Sequence, residues 1–194
     1  MGRISLNRMS PTRRSLEDVL GEAQRRGSLG DRPIAEVIDH ARQFLVALTD
    51  VRGRLLDLGT GAGVPGLVIA EARPDLQLTL LDRRATRMDD LRLAVAGLHM
   101  SDRVEVVTGE AESVVRDPSH AGRYAAVVAR GYGSPDVTAR AARPFLPVGG
   151  VLVVSEPPEW DPGRWPVSML ERLGYGPAER VGGVVRIVVL GENP

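Results

Sequence analysis

The sequence predicts an α/β domain, a mostly parallel sheet with helices on both faces that closes on an antiparallel strand. Three observations carry this. From Arg54 onward, short apolar runs alternate with helical stretches, the pattern of parallel strands joined by helical crossovers. Residues 55–70, Leu-Leu-Asp-Leu-Gly-Thr-Gly-Ala-Gly-Val-Pro-Gly-Leu-Val-Ile-Ala, read as a buried strand, a glycine turn and the start of a helix. Near the end, two apolar runs are joined by Gly182-Gly183, which is a hairpin signal.

The elements follow in order. Residues 1–14 are polar and Arg-rich, without periodicity, and are expected to fray. Ser15 to Arg26 is a helix with Ser15 as its N-cap and Leu16, Val19, Leu20 and Ala23 on one face. Pro33 to Leu48 is a second helix, its apolar residues at helical spacing from Ile34 to Leu48. Strands are expected at 54–58, 77–81, 104–107, 124–129 and 150–155, with helices at 65–72, 84–97, 111–116 and 135–145 between them. A helix at 166–173 and strands at 176–181 and 184–190 complete the chain. Residues 1–50 thus form an arm and helices packed on the core, and residues 51–194 form the sheet domain.

Composition removes several chemistries. There is no cysteine, which excludes disulfides, thiolate metal sites and Cys nucleophiles. All 25 basic residues are Arg, so no Lys serves as a base, Schiff-base former or phosphate clamp. The formal net charge is zero, which removes the simplest electrostatic case for nucleic-acid binding. The three histidines show no metal-ligand spacing, and no metal is expected. No apolar run is long enough to span a membrane, and the first residues lack an apolar signal core, so a cytoplasmic location is expected.

The glycine turn is the chemical centre of the sequence. Gly59, Gly61 and Gly63 let backbone approach a ligand closely, and Thr60 lies between the first two. The turn matches a dinucleotide fingerprint, with Asp82 about 20 residues on at the end of the second strand. Asp57 moves the reading away from a dinucleotide, because a carboxylate two residues before the first glycine suits a cationic ligand. The amino-acid end of S-adenosylmethionine is such a ligand. Asp82 suits ribose hydroxyls, with a helix N-cap before Arg83-Arg84 as the alternative. Glu110-Ala111-Glu112 follows the third strand, where adenine would lie. His40 reads mainly as a packing residue. Trp160 and Trp165 flank a Pro-rich rim, as base-stacking or loop-anchoring groups.

These residues resemble those of the bacterial 16S rRNA guanine-N7 methyltransferases, also called glucose-inhibited division protein B. The resemblance runs from about His40 to Leu190. It is carried by Asp57-Leu-Gly-Thr-Gly-Ala-Gly-Val-Pro-Gly66, Arg73-Pro74-Asp75, Leu80-Leu81-Asp82, Gly109-Glu-Ala-Glu112, Val128-Ala129-Arg130-Gly131 and Pro144 to Gly150. It implies the Rossmann-like class I methyltransferase sheet of seven strands, the last antiparallel. It implies S-adenosylmethionine as cofactor near Gly59, Gly61, Gly63, Asp82, Ala111, Glu112 and Arg130, with Arg130 also facing the substrate. It implies 16S ribosomal RNA or the small ribosomal subunit as partner, and methyl transfer to guanine N7 without a general base. The sequence departs from the family at two places. No Asn-Leu-Thr segment stands in the arm, and Ser155-Glu156-Pro157-Pro158 replaces a Lys-Gly pair, which puts Glu156 and Trp160 at the substrate rim. Alternatives are a small-molecule methyltransferase paralogue, a non-catalytic nucleotide-binding module and an NAD(P)-dependent reductase.

Overall fold

The computed structural model describes residues 12–159 and 161–191. Ser15 caps the first helix α1 (Leu16–Arg25): its hydroxyl accepts from the Asp18 N–H, and the Asp18 carboxylate takes the Ser15 N–H in return. This reciprocal box satisfies two of the orphan donors at the helix start. The chain ahead of it is fastened within the described residues, against the expectation of fraying. The Arg14 N–H donates to Gly97 O at 2.9 Å, and Arg13 Nε donates to Leu98 O at 3.1 Å. Residues 1–11 lie outside the described residues.

The predicted helix over 33–48 is two helices, α2 (Ile34–Arg42) and α3 (Phe44–Ala47). At Gln43 the backbone tightens, its N–H reaching His40 O at 3.3 Å. The Gln43 side chain lies on Gly183 so closely that a Cβ there would stand 1.6 Å from Gln43 Oε1.

The sheet domain follows the expected alternation. It runs β1 (Arg54–Leu58), α4 (Gly66–Ala72), β2 (Gln77–Asp82), α5 (Ala85–Gly97), β3 (Val104–Thr108), α6 (Ala111–Val114), β4 (Ala126–Ala129), α7 (Pro135–Ala142) and β5 (Val151–Ser155). Then come α8 (Val167–Arg172), β6 (Glu179–Val181) and β7 (Val184–Val188). The strand order is β3-β2-β1-β4-β5-β7-β6. The strands β1 to β5 pair in parallel, and β7 pairs antiparallel with both β5 and β6. The Gly182-Gly183 hairpin is the β6–β7 turn.

Side-chain alternation along the strands divides the core into two layers. Leu55, Leu78, Leu80, Val128 and Val153 pack under α1 to α5. Leu56, Leu58, Leu81, Val127, Leu152 and Val154 pack with residues of α7 and α8 on the other face. The helices of the arm share the first layer with β1 and α4: Leu16, Leu20, Ile38 and Phe44 are all buried in it. Both faces of the parallel strands are therefore covered, which accounts for their continuous apolar runs.

Candidate functional site

The strand order reverses at β1, with β2 on one side and β4 on the other. Open parallel sheets bind ligands in the crevice outside the carboxyl ends of the strands at such a reversal. A cleft of about 550 Å³ opens there.

Its floor is the loop after β1. The N–H groups of Gly59 and Thr60 both donate to Leu81 O, at 2.8 and 2.9 Å, so the loop folds back over β2. Gly59 has φ +70°, and a Cβ on it would stand 2.5 Å from Tyr132 Cδ2. Glycine is needed there twice over, for the backbone angle and for the ring above it.

Asp57 lies beneath this loop and is 1% exposed. Its Oδ2 accepts from Thr60 Oγ1 at 2.6 Å and from the Gly66 N–H at 2.8 Å, tying the loop to the first turn of α4. Its Oδ1 is buried without a hydrogen-bond partner among the described residues. Burial raises its pKa to about 6, against the opposing effects of those hydrogen bonds and of the Arg130 charge.

Asp82, at the end of β2, is not the N-cap of α5, a place Arg84 holds without a side-chain bond, but it fastens the loops on either side. Its Oδ2 accepts from the Gly61 N–H at 3.1 Å and its Oδ1 from the Arg84 N–H at 3.0 Å, while the residue also lines the cleft. Ala111 and Glu112 line the far end beside Glu110, which pairs with Arg83 at 3.3 Å across the β2 and β3 loops. Arg130, at the end of β4, lines the near end and makes no hydrogen bond or ion pair with a described residue. Burial pushes its pKa down, while Asp57 pulls it up. His40 is half-buried in the last turn of α2. Burial lowers its pKa, and the charges of Arg130 and Arg32 add to the effect.

The cleft therefore gathers Gly59, Thr60, Gly61, Asp82, Ala111, Glu112 and Arg130 of the expected residues. Asp57 lies beneath the loop rather than in the lining, and two more expected residues, Gly63 and Glu156, stand elsewhere. Gly63 is buried behind the loop, where a Cβ would meet Leu67 and Leu91 at 2.7 and 2.8 Å; it serves the packing of α4 on α5. Glu156, expected at the substrate rim, lies outside this cleft. Its side chain is fully buried, with Oε1 accepting from Trp165 Nε1 and Oε2 from Arg164 Nε, both at 2.9 Å. Trp165 is itself buried, as an anchor for this turn. Trp160 lies outside the described residues.

Two contributors went unread in the sequence. Ser28, Leu29 and Gly30, between α1 and α2, line the cleft from above. Tyr132 leans across Gly59 from the loop after β4. Burial raises its pKa first, and the nearby Glu112 and Glu110 charges raise it further. An aromatic residue three positions past the end of a fourth strand was the available signal.

The residues fit S-adenosylmethionine in one specific respect. A buried carboxylate oxygen without a partner calls for a donor, and the cofactor's ammonium is a charged one. A pyrophosphate beside Asp57 would meet repulsion instead.

Comparison with known proteins bears on the family and the fold. A model of the family described as rRNA small subunit methyltransferase G matches residues 23–156. Ribosomal RNA small subunit methyltransferase G of Deinococcus radiodurans is 40% identical over 134 residues, covering 63% of this chain and 53% of that one. The protein of the same name in Rubrobacter xylanophilus is 32% identical over 163 residues, 82% of this chain and 59% of that one. The chain thus spans between half and three fifths of these relatives' length. Among solved structures, the S-adenosylmethionine-dependent methyltransferase SibL superposes with a TM-score of 0.65 at 20% identity, over 89% of this chain and 59% of that one. The [4+2]-cyclase SpnF superposes at 0.58 with 20% identity, over 86% and 70%. Likeness at that identity establishes the fold and leaves the reaction open. The sequence match is the narrower finding: this chain belongs to the rRNA small subunit methyltransferase G family.

Proposed function

We propose that the chain transfers a methyl group from S-adenosylmethionine to N7 of a guanine in 16S ribosomal RNA. The observation that carries this reading is the coincidence of match and site. Every residue lining the cleft, from Ser28 to Val137, falls inside the span matched to the family, 23–156.

The chain's residues take the following parts. Asp57 Oδ1 and the loop at Gly59 to Gly61 hold the amino-acid end of the cofactor. Asp82 accepts from the ribose hydroxyls, and the backbone at Ala111 and Glu112 borders the adenine. The cofactor supplies an electrophilic methyl on a sulfonium sulfur. Guanine N7 carries a free lone pair, so transfer forms the N7–carbon bond and breaks the sulfur–carbon bond with no proton to remove. The chain then needs only to orient the two partners, and well-oriented pairs reach effective molarities of roughly 10⁵ M and above. Arg130 orients the acceptor at the near end of the cleft. The partner is the small ribosomal subunit, and the reaction belongs in the cytoplasm.

A small-molecule acceptor is the second reading, favoured by the zero net charge. Calorimetry with S-adenosylmethionine tests the cofactor, and absence of binding refutes both readings. Labelled-methyl transfer to 30S subunits lacking the N7 methyl tests the acceptor. Folded protein that binds cofactor and leaves those subunits unlabelled refutes the ribosomal reading and favours the small molecule.

A further inference from the structure

A second cavity, of about 260 Å³, opens at the carboxyl ends of β4 and β5. It shares Gly131 with the cofactor cleft, so a residue without a side chain stands where the two meet. The lining contains two buried polar groups with unused capacity.

The first is Thr138, in α7. It is 1% exposed, and its Oγ1 has no hydrogen-bond partner among the described residues. A Thr within a helix ordinarily turns its hydroxyl back to a carbonyl one turn earlier. Here Oγ1 lies 3.9 Å from where a Gly133 side chain would begin, and Gly133 lines the cavity. A buried hydroxyl is rarely left orphaned without a reason.

The second is Glu156. Its carboxylate takes one bond on each oxygen, from Arg164 and from the indole of Trp165. An ionised carboxylate offers about four acceptor sites, so about half remain. Those two bonds also fix its orientation.

We propose that this cavity is the acceptor subsite and that it reads the pyrimidine edge of a guanine drawn out of the RNA strand. The inference rests on the guanine reading above. Guanine carries, side by side, two donors (N1–H and the exocyclic amine) and the O6 acceptor. Glu156 accepts from the two donors, and the Thr138 hydroxyl donates to O6. The Thr138 hydroxyl then gains the partner it lacks, and Glu156 uses its remaining acceptor sites. Adenine presents a lone pair at N1 instead, which a carboxylate repels. A base gripped by its pyrimidine edge leaves N7 free on the opposite ring, facing the wall at Gly131. Enzymes that modify a base outside the stack read it in this way, by hydrogen bonds to its Watson–Crick edge.

The test uses protein saturated with S-adenosylhomocysteine, so that the cofactor cleft is filled. Threonine methyl groups are labelled with carbon-13, and guanosine and adenosine monophosphates are titrated in. Thr138→Val identifies the Thr138 signal. The expected result is that the guanine nucleotide moves that signal and binds at least fivefold tighter than the adenine nucleotide. Thr138→Val is expected to weaken guanine binding about threefold to tenfold with an unchanged or higher melting temperature, because the variant loses only an orphaned hydroxyl. Thr138→Ser retains the affinity, and Glu156→Gln abolishes the preference for guanine over adenine. The subsite is overturned if the guanine nucleotide leaves the Thr138 signal unmoved, if Thr138→Val binds it like the wild type, or if no preference over adenine exists. Guanine binding here without methyl transfer to 30S subunits refutes the ribosomal reading alone. Transfer to 30S subunits with the same KM in Thr138→Val refutes the subsite alone.

Discussion

Replacing Asp57 by Asn should flatten the pH dependence of stability and of cofactor affinity together. The carboxylate is buried, and its pKa rises from 3.8 to about 6 on folding. The folded chain therefore keeps this proton to a higher pH than the unfolded chain does. Its contribution to stability is greatest in acid, declines as pH rises from 3.8 toward 6, and is flat above that. At about 1.4 kcal/mol per pKa unit, the whole difference is about 3 kcal/mol. About 2 kcal/mol of it falls between roughly pH 4.5 and 7.5. Asparagine can still accept from Thr60 and Gly66, and it carries no charge. Urea unfolding of wild type and variant across that range isolates the Asp57 contribution, because the other titrating groups are common to both. The stability difference between the two proteins should shift by about 2 kcal/mol across the range, in favour of the variant toward neutral pH. Calorimetry at neutral pH should show S-adenosylmethionine binding weakened by about tenfold or more, the loss of a hydrogen bond to a charged group. Wild-type affinity should fall below about pH 6 while that of the variant stays level. Parallel stability curves, or an unchanged affinity, would refute the role given to the unpartnered oxygen.

Other outcomes follow from the same geometry. Gly59→Ala should destabilise the protein by about 1–3 kcal/mol through overpacking against Tyr132, and much of the cost should vanish in a Tyr132→Ala background. Denaturant midpoints of the four proteins measure this, and simple additivity would exclude the ring contact as the cause. Tyr124→Phe should cost about 1–3 kcal/mol, since the Tyr124 hydroxyl bonds Thr79 Oγ1 at 3.2 Å and His120 Nδ1 in a buried chain; scanning calorimetry reads it. Arg130→Ala should leave the melting temperature within a few degrees of wild type, because no described residue pairs with Arg130, and should sharply lower methyl transfer.

The parts of this molecule legible in the sequence are those whose causes are local. Ser15 and Asp18 are three residues apart, so the cap of α1 could be read from their spacing. The glycine turn, its flanking strand and helix, and the Gly182-Gly183 hairpin were legible for the same reason. What escaped has its cause far away in the chain. Gln43 packs on Gly183, about 140 positions on, and an uninterrupted apolar period gave no sign of that contact or of the break beside it. Glu156 sits among Ser and Pro residues that read as an exposed turn, and its burial depends on Arg164 and Trp165 folding back over it. Gly63 looked like its neighbours Gly59 and Gly61, but it faces Leu67 and Leu91, whose approach is a matter of helix packing. Tyr132 gained meaning only once β4 was placed beside β1.

The Gln43–Gly183 contact has a consequence for the history of this chain. Gly183 O also accepts from the Glu156 N–H at 3.0 Å, so positions 43, 183 and 156 form one line of touching residues. A side chain gained at 183 displaces the amide end of Gln43, which a new rotamer can absorb, while the backbone bond from 156 stays in place. Among descendants of this sequence, glycine at 183 should therefore be held by the arm helix only while position 43 keeps a long side chain, and position 156 should vary independently of both.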